Sequence, residues 1–183
     1  GAQTKMAEVR AVRLNGAVKE IETAGGTLYG RTVILATGAT PRALGVAGEQ
    51  ELIGRGVSYC ASCDGMFYRG KTVVIVGGGN TAAADAILLP RICEKVFVVH
   101  RRDTLRATKI YHEPLMKAEN MAFCWNSTVS ELLHGDKLTG GKVRNIQTGE
   151  ETEISCDGLV VCIGREPASE LVKGQLELDG AGY

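Results

Sequence analysis

Long apolar runs are missing from this chain: none approaches the roughly 20 residues that a bilayer-spanning helix needs. An excess of either charge is missing too. The 21 Lys and Arg balance 21 Asp and Glu, which argues against a general nucleic-acid surface or an acidic tail. No charged-then-apolar leader opens the sequence, and Gly1-Ala2-Gln3 reads as a cloning remnant or a cut within a longer protein. Histidines number three, and neither a second Cys-x-x-Cys nor a closely spaced His pair is present to complete a zinc site. What remains is 183 residues, enough for one or two domains and a sizeable core.

Six cysteines are present. Cys93, Cys124, Cys156 and Cys162 stand singly in apolar stretches, as small core residues of a reduced, cytoplasmic protein do. The other two differ. Cys60-Ala61-Ser62-Cys63-Asp64-Gly65 can store two electrons as a reducible bridge suited to exchange. Asp64 places a carboxyl beside a sulfur that must gain or lose a proton at each turn of such a cycle. Half a zinc site has the same spacing, but the phosphate-binding turn that follows favours the redox reading.

Residues 8–14 and 17–23 alternate with period two around Asn15-Gly16, which predicts a hairpin. Gly25-Gly26 predicts another turn. Residues 32–36 form a continuous apolar run ending in Thr37-Gly38, which predicts a strand buried on both faces. Residues 39–55 lack periodicity and read as a linker, with a boundary near Gly54. Beyond it the period changes. A buried strand is expected over 72–76, a turn over 77–80 and a helix over 81–89 that Pro90 ends or kinks. The next buried strand is expected over 96–100. Asp103 or Thr104 could cap a helix running to about Glu119, interrupted by Pro114. Short strands are expected over 122–125, 129–133, 143–147, 152–156 and 159–163. The halves repeat one pattern, in which a meander returns to an apolar strand ending at glycine, once at Gly38 and once at Gly164. Only the second copy follows a glycine-rich strand–turn–helix unit. Two related nucleotide-binding domains, the first lacking its opening half, account for this.

Gly77-Gly78-Gly79-Asn80-Thr81-Ala82 fits G-x-G-x-x-A directly after a strand of Val and Ile. The first glycine permits a tight turn, the next lets backbone approach a pyrophosphate, and Ala82 keeps helix and strand close. The helix N-terminus then faces the anion. About 20 residues on, where an NAD site carries an acidic residue, stand His100, Arg101 and Arg102, then Arg106. Guanidinium groups bind a 2′-phosphate that a carboxylate would repel, so NADPH is the expected nucleotide. A solvated basic loop is the plain alternative. Hydride from nicotinamide and thiolate chemistry need a mediator, usually flavin, and no complete flavin site is present.

With Ala36-Thr37-Gly38-Ala39, Gly54-Arg55-Gly56-Val57-Ser58, the cysteine motif, the glycine turn and the run 100–106, the chain resembles bacterial-type, low-molecular-weight thioredoxin reductases. The likeness runs essentially end to end, although that family's opening flavin G-x-G-x-x-G and closing Gly-Asp motif are absent. It implies an α/β flavoprotein with two dinucleotide-binding domains. Residues 1–45 would be a partial FAD-binding segment. Residues 46–165 would be a Rossmann-like NADPH-binding domain, a parallel sheet plus β-meander, and 166–183 the start of the returning FAD segment.

By this resemblance, NADPH reduces FAD and the flavin reduces the Cys60–Cys63 disulfide. Cys63 faces the flavin, Cys60 attacks the thioredoxin disulfide, and Asp64 protonates the departing thiolate. Residues 77–82, Arg101, Arg102 and Arg106 hold NADPH, with His100 in the same run. Thr37 and Gly38 are flavin-side contacts; Ile163 and Gly164 are nicotinamide-side ones. The NADPH domain rotates about hinges near 45–55 and 164–167, and the full-length protein is a homodimer. Departures are Met66-Phe67 after the cysteines, the lack of Asn-Thr after Pro167, and Pro90 in the first helix. The chain alone is expected to bind NADPH but not FAD, and to turn over poorly or not at all. Alternatives are an alkyl hydroperoxide reductase flavoprotein, against which the arginines argue, a non-catalytic NADPH-binding or redox-sensing module, and a zinc module.

Overall fold

The structure, a computed structural model, describes residues 1–183 and falls into two compact units, Pro41–Gly164 and Gly1–Thr40 with Arg165–Tyr183. In chain order the first strands are β1 (Val9–Arg13), β2 (Lys19–Thr23), β3 (Gly26–Gly30), β4 (Ala39–Pro41) and β5 (Val57–Ser58). Helix α1 (Ala61–Asp64), β6 (Thr72–Val76), α2 (Asn80–Leu88), β7 (Lys95–Val99), α3 (His112–Met116) and β8 (Met121–Cys124) follow. The last strands are β9 (Ser127–His134), β10 (Leu138–Asn145), β11 (Glu151–Ser155), β12 (Gly158–Val161) and β13 (Arg165–Pro167).

The expected buried strands build a parallel five-stranded sheet in the order β5-β12-β6-β7-β8. Successive side chains of a strand point to opposite faces, and β6 shows the result. Val73 and Ile75 join the cluster on the α2 side, whereas Val74 and Val76 join the cluster beneath the β9–β10–β11 meander. Both faces are covered, so a continuous Val/Ile run is the stable sequence here; each such side chain contributes about 1.5–3 kcal/mol on burial. On α2, Ala82, Ala83 and Ala86 are each 1% exposed and let the helix lie close to the sheet. Pro90 falls in the single 3₁₀ turn that ends it, as expected.

In the other unit β1, β2 and β3 form an antiparallel meander, with Val12 opposite Ile21. The loop between β1 and β2 carries Gly16 at φ 85°, a backbone conformation that glycine adopts without strain. This is the expected hairpin.

Three expectations fail. Residues 32–36 are not a buried strand: they pair with no other strand, and Ile34 is 93% exposed. A run buried on both faces needs neighbours on both edges, and none flanks this one. The helix expected from Asp103 or Thr104 is also absent. Residues 101–108 are irregular, and α3 begins only at His112, with Pro114 in its first turn, where the missing N–H costs nothing. The backbone N–H groups of Arg106 and Ala107 donate instead to the Gly78 carbonyl, at 2.7 and 3.0 Å. Nor is 41–55 a loose linker. Glu49, 3% exposed, accepts hydrogen bonds from the N–H groups of Leu44 and Gly45 and from the Tyr59 hydroxyl, at 2.8, 2.9 and 2.6 Å. One buried carboxyl organises the whole approach to the cysteines.

His100, at the end of β7, is 6% exposed and its Nε2 has no hydrogen-bond partner. Burial, with the charges of Arg102, Arg101 and Arg106, holds its pKa below the ordinary 6.5, against the opposing pull of the Thr104 backbone. The unfolded chain then takes up a proton that the folded one refuses, so stability should fall as pH drops below 6.5 and be independent of this group above it. Denaturation curves between about pH 5 and 8 should show this slope, and His100→Asn should remove most of it. Separately, Glu49→Ala leaves three donors unpaired and should cost about 2–4 kcal/mol in urea unfolding; an unchanged midpoint would refute the role given to Glu49.

Candidate functional site

The turn after β6 is built by close approach. Gly77 has φ 143°, and a Cβ there would lie 2.3 Å from the Cys162 carbonyl oxygen. At Gly78 a Cβ would lie 2.4 Å from the His100 ring. No larger residue fits either position without moving β12 or His100. The Gly77 N–H donates to the Val99 carbonyl at 3.0 Å, pinning the turn to β7. Gly79 precedes α2 as its cap residue and has open space where a side chain would be. The first helical N–H groups lack carbonyl partners within the helix, which suits them to an anion.

This turn forms one wall of a cleft of about 490 Å³. Gly77, Gly78, Gly79, Asn80 and Thr81 line it, while Ala82 lies buried behind them. His100, Arg101 and Arg106 line it from the end of β7, and Ile163 and Gly164 from beyond β12. Most of the nucleotide-side residues singled out in the sequence thus meet in one place. Arg102 is not among the lining residues, though its charge acts on His100. The volume, the glycine cradle and the exposed guanidinium groups fit a phosphorylated dinucleotide.

Cys60 and Cys63 are joined by a disulfide. Cys60 precedes the single turn of α1, and its sulfur accepts the Cys63 N–H at 3.2 Å. Asp64 closes that turn and accepts a hydrogen bond from the Ser58 hydroxyl at 2.6 Å. The same hydroxyl oxygen receives the Cys60 N–H at 3.0 Å, so Ser58, 3% exposed, ties the acid to the backbone of the first cysteine. Tyr68, its phenol pushed up to about 12 by burial and by Asp64, donates to the Gly56 carbonyl at 3.3 Å. None of Cys60, Cys63 and Asp64 lines the cleft. Thr37 and Gly38 lie in the other unit, exposed, with the Gly38 carbonyl accepting the Ala168 N–H at 3.0 Å.

Several residues at these sites carry no motif. Ser58 was visible only as part of a longer match, and its partnership with Asp64 depends on how β5 enters α1. Arg42 lines the cleft, and its N–H donates to the Gly164 carbonyl at 3.0 Å; Ser127 and Thr128 line it too. Cys162 lines the cleft beside Gly77 and donates its S–H to Asp85 at 3.1 Å. Burial raises the pKa of both, and the Asp85 carboxyl raises that of Cys162 further. No group of three or more His, Cys, Asp or Glu side chains is arranged to hold a metal ion.

Comparison with known proteins extends these observations over the whole chain. The pyridine nucleotide-disulphide oxidoreductase family matches residues 3–183. Thioredoxin reductase of Streptomyces coelicolor is 43% identical over 184 residues, covering 100% of this chain and 57% of that protein. The Mycolicibacterium smegmatis enzyme is 44% identical, covering 100% and 58%. Among solved structures, Lactococcus lactis thioredoxin reductase superposes with TM-score 0.87 at 36% identity, over 97% of this chain and 59% of that one. Giardia duodenalis thioredoxin reductase gives 0.84 at 33% identity, over 100% and 60%. The chain therefore spans less than two thirds of the length of these relatives. With a parallel sheet, a glycine turn opening α2 and a cysteine pair in one unit, it belongs to the pyridine nucleotide-disulphide oxidoreductase family.

Proposed function

We propose that this chain carries the nucleotide-binding and redox-active part of an NADPH-dependent thioredoxin reductase. The observation that supports this most is the presence, within Pro41–Gly164, of both a reducible disulfide and a dinucleotide-sized cleft bearing two arginines. This unit is assigned to NADPH, and Gly1–Thr40 with Arg165–Tyr183 to the flavin side, with Thr37 and Gly38 as its contacts. Flavin, where bound, supplies the conversion of hydride into an electron pair that a disulfide can accept. Two exposed residues cannot hold such a group alone.

In the cleft, the turn 77–81 receives the pyrophosphate, while Arg101 and Arg106 receive the 2′-phosphate through charge-assisted bonds. Ile163 and Gly164 border the nicotinamide end. In net terms, NADPH and one proton convert the Cys60–Cys63 disulfide to two thiols and leave NADP+. The Cys60 thiol gives its proton to Asp64 and its sulfur attacks the thioredoxin disulfide, expelling one thioredoxin thiolate. Cys63, giving up its proton in turn, attacks the Cys60 sulfur of the mixed disulfide, expels the second thioredoxin thiolate and restores the bridge. Each departing thiolate takes a proton from Asp64, whose carboxyl Ser58 holds in place. Thioredoxin is the proposed partner, and a homodimer the proposed assembly of the full-length protein. The flavoprotein subunit of an alkyl hydroperoxide reductase, with its preference for NADH, fits the arginines less well.

Arg101→Ala or Arg106→Ala should weaken NADPH by about 10- to 100-fold, the worth of a charged hydrogen bond, and leave NADH nearly unchanged. Equal losses for both nucleotides in a calorimetric titration would remove the 2′-phosphate from this site. The thiols give a second check. Burial pushes Cys93 up to about 11 and Cys156 up to about 12, and raises Cys124 and Cys162 as well. After mild reduction, iodoacetamide at about pH 8 should therefore modify two of the six cysteines rapidly. Peptide mapping should place the adducts on Cys60 and Cys63, and fast labelling elsewhere would contradict an exchange pair confined to them.

A further inference from the structure

The basic residues facing the cleft stand on a segment that three hydrogen bonds hold against the glycine turn. The N–H groups of Arg106 and Ala107 share the Gly78 carbonyl, and the Thr108 N–H donates to Asn80 Oδ1 at 2.9 Å. The Thr108 hydroxyl lies 3.5 Å from the same oxygen. Leu105 and Ala107, each 6% exposed, sink into the core on the α2 side, which leaves Arg106 between them pointing outward on the cleft wall. The side-chain oxygen of Asn80 is thus committed to the protein, although its position in the turn suggests a ligand to the nucleotide.

We infer that Asn80 is a positioning residue: by latching Thr108 it places Arg106, and so sets the preference for a 2′-phosphorylated dinucleotide without its own side chain touching the nucleotide. This rests on the assignment of the cleft to NADPH. The pyrophosphate is met by backbone N–H groups that a change at residue 80 leaves in place, so the latch bears on one phosphate and not on the other. An alanine there keeps good helix propensity and loses only the acceptor.

The test is a double-mutant cycle on the 183-residue chain, with NADPH and NADH titrated in turn. Trp125, the single tryptophan, packs edge-on against His100 with ring centroids 6.3 Å apart, and His100 lines the cleft, so energy transfer to the reduced nicotinamide reports binding. Asn80→Ala should lower the NADPH-to-NADH preference by roughly three- to tenfold, with NADPH losing more affinity than NADH. Arg106→Leu should lower it at least as far, and adding Asn80→Ala to Arg106→Leu should lower it no further. Equal loss of both nucleotides in Asn80→Ala, or full additivity with Arg106→Leu, overturns the latch. No change of preference in Arg106→Leu, or no binding of either nucleotide by the unmodified chain, overturns the cleft assignment and the latch with it. Should Asn80→Ala fail to fold, Thr108→Pro deletes the donor at a residue whose φ is already −57°, and the same loss of preference is required of it.

Discussion

The rest of this structure depends on how closely backbone approaches backbone at the end of β6. A Cβ on Gly77 would strike the Cys162 carbonyl, and one on Gly78 would strike the His100 ring. The absence of those two side chains lets β12, β7 and the start of α2 converge on one point. From that convergence come the cleft, the seat of the basic segment, and the burial of His100 without a partner for its Nε2. A packed interior transmits such a constraint with little slack, so the Gly78 carbonyl that receives the Arg106 N–H is fixed by the same convergence.

The cysteine pair obeys a different logic. Around it the structure spends polar contacts: Ser58 holds Asp64, the Cys63 N–H meets the Cys60 sulfur, and Glu49 fastens the preceding segment through Tyr59. The four remaining cysteines are buried or half-buried, which disfavours ionisation, and Asp85 disfavours it further at Cys162. One chain thereby keeps two sulfurs available and four silent, with no difference in residue type. Environment alone separates them.

How much could be read in advance follows from which interactions are local. Strands β6, β7 and β12, helix α2 and the β1–β2 hairpin were legible because periodicity and turn chemistry act over a few residues. The glycine turn and the basic run were legible for the same reason, and so was their meeting in a strand–turn–helix–strand unit. The segment 103–111 was misread as helix because the Gly78 carbonyl and Asn80 outcompete the helical ladder for its N–H groups, and those acceptors lie about 28 residues away. Arg42 and the Asp85–Cys162 pair were hidden because each acquires its meaning from a partner distant in sequence, and Ser58 because Asp64 meets it only through the way β5 turns into α1. The apolar run at 32–36 shows the reverse limit, since its composition demands burial that no neighbouring strand supplies.

That run has a consequence for how the molecule behaves in solution. Five residues rich in branched carbons pair with no strand, and the Ile34 side chain lies almost wholly in water. Substitutions in this run should accordingly move solubility more than fold stability, since none of the five residues belongs to either core.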